Sequence, residues 1–291
     1  MKHQKGWRRF VPKRRVTLPE FAAGGVLQVV ENELRDIRYS MRGKLDASQL
    51  DEPIEDLKTR AALLNGPRKT LALEALVVLQ TPRAALAQHE MDSHEHNYHD
   101  RTKRLFELID FNDSFVDAVL AQPADRLPHF TEHLKHQMLS FCHSLRLPMF
   151  TDEQFEAIVH GLSREIAVYL GAIAEGFEAE MTPRAVDAFG IDVIVTNRST
   201  GRSANIDCKT PSAFRHRIGE LVREGRVSED DFYTADEQNY ITVMNRRNDQ
   251  QVPVTIMCIR PEDLGEVVNF RFATTAPLGK LLTTIFASLK G

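Results

Sequence analysis

Two apolar stretches in the second half of the chain carry charged residues where a buried strand ordinarily carries none. Gly190-Ile191-Asp192-Val193-Ile194-Val195 and Ala204-Asn205-Ile206-Asp207-Cys208-Lys209-Thr210 each read as a short β-strand. Asn197-Arg198-Ser199-Thr200-Gly201-Arg202-Ser203 between them is a turn-rich connector of hairpin length. Side chains alternate along a strand, so Asp207 and Lys209 project to one side and Ile206 and Cys208 to the other. Asp192, on the neighbouring strand, is expected beside Asp207. Two carboxylates next to one ammonium are costly to bury alone, and a divalent cation is their natural partner. The competing reading places both acids on an edge strand facing water, with Lys209 as a surface partner.

The elements that must position these groups begin at residue 148. Thr151-Asp152-Glu153-Gln154 has the form of a capping box. It opens a helix whose apolar positions run Phe155, Ile158, Val159, Leu162, Ile166, Tyr169, Leu170 and Ile173. Strands are expected at 177–181, 190–196 and 203–210, a helix at 212–224, strands at 240–245 and 254–259, and a closing helix at 278–289. The order helix, three strands, helix, strand, strand, helix predicts an α/β domain with a mixed central sheet. Before it, residues 17–147 read as almost wholly helical. Thr17-Leu18-Pro19-Glu20 is a further capping box, and helices are expected at 54–64, 71–79, 83–90, 104–120 and 127–145. The expected organisation is a basic arm (1–15), an all-α domain (16–147) and an α/β domain (148–291), the last large enough for its own core.

Composition sets the class. A chain of 291 residues with 42% hydrophobic and 27% charged residues is ordinary for a soluble globular protein. Cys142, Cys208 and Cys258 make an odd count without metal-ligand spacing, which points to a reducing, cytoplasmic setting. No continuous run of apolar residues reaches spanning length, so no membrane partner is expected. The net charge of −4 is unevenly placed. Lys2, Lys5, Arg8, Arg9, Lys13, Arg14 and Arg15 crowd the first fifteen residues without an acid, leaving a strongly acidic body. Such an arm suits nucleic-acid phosphates, and Trp7 and Phe10 within it suit base stacking; the alternative is a solubilising tail. His89, His94, His96 and His99, and separately His129, His133 and His136, have spacings met in metal sites, but both segments read better as wet polar surface.

The strand carboxylates and the element order together resemble the PD-(D/E)xK nuclease superfamily, the restriction-endonuclease-like fold, over about residues 152–260. Asp192 matches the family's aspartate, although no proline directly precedes it. Asp207-Cys208-Lys209 matches the (D/E)xK element. Glu165, in Gly161-Leu162-Ser163-Arg164-Glu165, matches the helix glutamate in a form similar to the Mrr-like branch. Gln238 is aligned with a polar residue that follows the next helix in some members, and Asp187 is an auxiliary acid. The resemblance implies an Mg²⁺- or Mn²⁺-dependent endonuclease acting on DNA in restriction, antiphage defence or mobile-element processing. Asp192, Asp207, the Cys208 carbonyl and Glu165 would hold the cation, and Lys209 would orient water and stabilise charge. Arg215 and Arg217 on the next helix would grip flanking phosphates. A homodimer or a partner protein docked on the helical half would complete the assembly. Two other classes stay open: a catalytically silent nucleic-acid-binding or assembly protein on the same fold, and a hydrolase of small phosphate esters.

Overall fold

The computed structural model describes residues 47–93, 98–182, 190–247 and 250–289, together with Gln28 and Asn32. The basic arm, the expected helix after Thr17 apart from Gln28 and Asn32, Asp187, His94 and His96 lie outside the described residues, as does the side chain of His99.

A 3-10 turn at Ala47–Leu50 leads into α1 (Asp51–Leu63), α2 (Gly66–Ser93), α3 (Tyr98–Leu120) and α4 (Leu127–Leu145). Where the sequence predicts two helices, at 71–79 and 83–90, the structure has one. A proline inside a helix removes one hydrogen bond and crowds the carbonyl four residues back. At Pro82 the helix continues because its flanks, Val77, Val78, Leu79, Ala84 and Ala85, are all buried in the bundle. The Thr81 hydroxyl also donates to the Val77 carbonyl at 2.9 Å. α2 packs on α1, α3 and α4 and is apolar almost all round, as a central helix must be.

Past α4 the chain becomes mixed α/β. Arg146 closes the helix in the left-handed region (φ 55°), and α5 (Asp152–Ala174) starts at the predicted capping box. Gln154 N–H donates to the Thr151 hydroxyl at 3.2 Å, and Thr151 N–H donates to Gln154 Oε1 at 2.9 Å. There follow β1 (Glu178–Met181), β2 (Val193–Asn197), β3 (Arg202–Lys209), α6 (Pro211–Arg223), α7 (Glu229–Gln238), β4 (Tyr240–Arg247) and β5 (Gln250–Cys258). A short α8 (Pro261–Leu264), a two-residue ribbon of β6 (Val267–Val268) and β7 (Arg271–Phe272), and α9 (Ala276–Ser288) complete the chain. α7 is an addition to the expected order. Its sequence offers little apolar periodicity, but Ser228 and Asp231 form a full capping box, and Glu229, Asp230 and Asp231 fill the first turn. Both α2 and α5 are long and apolar enough to cross a membrane by length and composition, and α2 is mostly buried within the protein.

The strands form one five-stranded sheet, ordered β1-β2-β3-β5-β4. β1, β2 and β3 make an antiparallel meander, β5 lies parallel to β3, and β4 is antiparallel on the outer edge. One face, with Val193, Val195, Ala204, Ile206, Cys208 and Met257, packs on α5 and α9. The other, with Val243, Ile256 and Cys258, packs on Phe214, Ile218 and Leu221 of α6.

The expected boundary at 147 marks the change from helices to mixed α/β, but the apolar core runs across it. Phe155, Leu162 and Ile166 of α5, with Phe270, join the core of the helical half. Ala167, Val168 and Ala172 of the same helix join the core under the sheet. α5 is thus a wall shared by both cores.

Candidate metal and phosphate site

The sequence predicts that Asp192 and Asp207 are neighbours on adjacent strands, and the hydrogen bonding shows how. β2 begins at Val193, which pairs with Ile206 of β3. Asp192, one residue earlier, also donates its N–H to the Ile206 carbonyl, at 2.8 Å. Two consecutive residues therefore face one partner, the arrangement of a β-bulge, which re-aims a side chain and ends the ladder. The Asp192 carbonyl accepts from Thr182 N–H at 3.1 Å, so this one residue ties β1 to β3. Its carboxylate turns into the gap where β2 and β3 part, and Oδ2 accepts the Cys208 N–H at 2.6 Å. A main-chain donor that has run out of strand partner is thereby satisfied.

β3 lies in the interior of the sheet, and Asp192 and Asp207 are only 8% and 6% exposed. This geometry removes the reading in which they face water from an edge. Asp207 aligns with Ile256 and Lys209 with Cys258 across the parallel pair, so both project to the α6 face while Ile206 and Cys208 enter the core on the α5 face. Lys209 Nζ is ion-paired with Asp207 Oδ1. Burial opposes its charge, but Asp207 and Asp192 outweigh that penalty and raise the Lys209 pKa above the ordinary lysine range. The Cys208 thiol is pushed far up by burial, reinforced by Asp192, Glu165 and Asp207. It is an inert apolar filler in this setting. At Gly190 the chain takes φ +68°, and a Cβ there would stand 3.7 Å from Asp207 Oδ2. Gly190, two residues before Asp192, thus belongs to the site, although its sequence pattern assigns it no role there.

The other predicted residues are placed as follows. Glu165 is buried on α5 (9% exposed), on the Cys208 side of β3. Gln238 ends α7 and lines a groove along the outer strand β4 with Tyr240, Thr242 and Pro253, apart from Asp192, Asp207 and Lys209. Arg215 and Arg217 lie on α6, the helix that starts at Pro211 just past Lys209. Arg215 donates to Asp236 of α7 at 3.2 Å, and Arg217 to Glu220 at 3.1 Å. Asp236 also accepts from Arg260, so one carboxylate anchors two guanidinium groups. His129, His133 and His136 form an exposed row on α4. Among the described residues no group of three or more His, Cys, Asp or Glu side chains is assembled closely enough to hold a metal ion by itself.

Comparison with protein-family models, with curated proteins and with solved structures gives no match.

Proposed function

We propose that the chain is a metal-dependent nuclease of restriction-endonuclease-like architecture that hydrolyses phosphodiester bonds in DNA. The observation that carries this reading is the buried pair Asp192–Asp207, brought together by the bulge where β2 and β3 part, with Lys209 on the same strand as Asp207. The order of α5, the β1–β3 meander, α6 and the parallel β5 supports it.

The donor set fits Mg²⁺ or Mn²⁺. Both acids offer hard oxygen ligands, and Mg²⁺ characteristically takes one or two carboxylates, keeping waters and substrate phosphate for the rest. A third protein carboxylate is therefore not a requirement. Asp192 and Asp207, with the Cys208 carbonyl, would hold the cation; Glu165 would tune it from beneath β3. Once bound, the cation would polarise a phosphoryl oxygen and lower the pKa of a water. The remaining work belongs to the chain. Lys209, fully protonated at neutral pH, would balance the charge that grows on the phosphoryl oxygens and orient the attacking water. Cys208 N–H fixes one oxygen of Asp192, leaving its other oxygen for the cation. Arg215 and Arg217, and the basic residues Lys2, Lys5, Arg8, Arg9, Lys13, Arg14 and Arg15, would hold flanking phosphates. A double-strand break needs two such sites, hence two copies or a partner docked on the helical half.

A second reading, a catalytically silent DNA-binding or assembly protein, is favoured by one observation: Lys209 already neutralises Asp207, so the pair stands as a structural ion pair without any cation. Plasmid nicking in Mg²⁺ or Mn²⁺, with EDTA and Asp207→Asn as controls, separates the two. Cleavage by the wild type that both controls abolish supports the nuclease. DNA binding with no cleavage under any divalent cation supports the silent protein.

A further inference from the structure

Thr182 follows directly on β1 and is only 8% exposed, and its hydroxyl oxygen is sealed from solvent with no hydrogen-bond partner among the described residues. A buried hydroxyl in that state is unfavourable, and such groups call for a specific explanation. Three facts locate it. Thr182 N–H holds the carbonyl of Asp192, so the two residues are immediate cross-strand neighbours. Met181, one residue before, packs into the cores on the α5 side of the sheet, and alternation turns Thr182 to the opposite side. That opposite side is the one onto which Asp207 and Lys209 project, as their register with Ile256 and Cys258 requires. The sheet thus sets an unsatisfied hydroxyl next to Asp192, on the face onto which Asp207 projects from β3.

We propose that Thr182 is a positioning residue of the site, its hydroxyl hydrogen-bonding a water carried in by the divalent cation that Asp192 and Asp207 hold. The inference rests on the nuclease reading, because it presupposes that cation. A hydroxyl can accept from and donate to such a water, and an apolar side chain of equal size can do neither. Protein side chains that orient metal-bound groups typically change metal affinity or activity by about 10–100-fold when removed. The same hydroxyl lowers the stability of the cation-free protein, as functional polar groups commonly do.

The test compares wild type, Thr182→Val and Thr182→Ser in the full chain. The expected results are three. In EDTA, Thr182→Val melts at the same temperature as wild type or higher. Its Mn²⁺ affinity, by calorimetry without nucleic acid, falls by about tenfold or more. Thr182→Ser, which keeps the hydroxyl, binds Mn²⁺ close to wild type. Equal Mn²⁺ affinity in Thr182→Val and wild type overturns the inference alone and leaves the nuclease reading standing. Loss of affinity in Thr182→Ser as well as Thr182→Val also overturns it, since packing rather than the hydroxyl would then be responsible. Wild type that binds no Mn²⁺ overturns the inference, the nuclease reading then standing or falling on plasmid cleavage, and Asp207→Asn serves as the non-binding control in every titration.

Discussion

Replacing Lys209 with methionine isolates the electrostatics at the centre of the site. The substitution keeps an unbranched side chain, one atom shorter, and removes the ammonium with its charge and its hydrogen-bond donors. Asp207 would then be left with a side chain 8% exposed and no ammonium beside it, whereas Lys209 itself is 30% exposed. Breaking a fully buried ion pair by removing one partner costs about 3–5 kcal/mol, because the survivor is stranded. The partial exposure of Lys209 screens the pair, so the expected loss is at the low end, about 3 kcal/mol. Urea unfolding in EDTA at pH 7 reads it, and Asp207→Asn in the same background should recover most of it by removing the charge that Lys209 balances. A double-mutant cycle should give a coupling of about 2 kcal/mol. Mn²⁺ then offers an independent handle. With the ammonium gone, a cation at about 100 times its Kd should return about 2.7 kcal/mol. The pH dependence has a definite sign. The folded pKa of Lys209 is raised, so its contribution is complete below the unfolded value of about 10.4 and is lost only as pH rises through the higher folded value. The difference between wild type and Lys209→Met should therefore be flat in its lysine part between about pH 6 and 9. A loss under about 0.5 kcal/mol, or one that Asp207→Asn leaves untouched, would refute the pairing argument.

Three further outcomes follow from the packing and the hydrogen bonds. Asp192→Ala removes the acceptor of the buried Cys208 N–H and should cost about 1–3 kcal/mol in urea unfolding, with Asp192→Asn milder because an amide oxygen still accepts. Gly171→Ala would set a Cβ 2.6 Å from Leu278 Cδ2 where α5 meets α9; thermal unfolding should show a loss of about 1–3 kcal/mol, with the Lys209→Met response unchanged. An isolated 148–291 fragment uncovers Phe155, Leu162, Ile166 and Phe270, so it should bind a hydrophobic dye or aggregate while the full chain stays monodisperse; a soluble, cooperatively folding fragment would show that the α/β half needs no cover on that side of α5.

Much of the fold was legible because it depends on local chemistry. The capping box at Thr151 and the apolar spacing along α5 set that helix before any tertiary contact exists. The apolar runs around residues 193–197 and 202–209 are strands by composition, and the turn residues between them make a hairpin. The chemical identity of Asp192, Asp207 and Lys209 was readable too, since charge inside an apolar run is conspicuous in one dimension. Other features were decided only by the folded chain. Pro82 would break an isolated helix, yet α2 runs through it because burial of its flanks outweighs one lost hydrogen bond. α7 lacks the periodicity that marks a helix and is secured by its cap and first-turn acids. The place of β5 between β3 and β4 is a matter of long-range pairing, and it turns β3 from a conceivable edge into an interior strand. That choice covers Asp207 and Lys209 on the outer side of β3, while Asp192 is enclosed between β1 and β3. The bulge at Asp192, the approach of Gly190 to Asp207 and the sealed hydroxyl of Thr182 likewise exist only once three strands meet. A sequence states which groups carry charge; which of them lose their water, and beside what partner, is settled when distant segments pack.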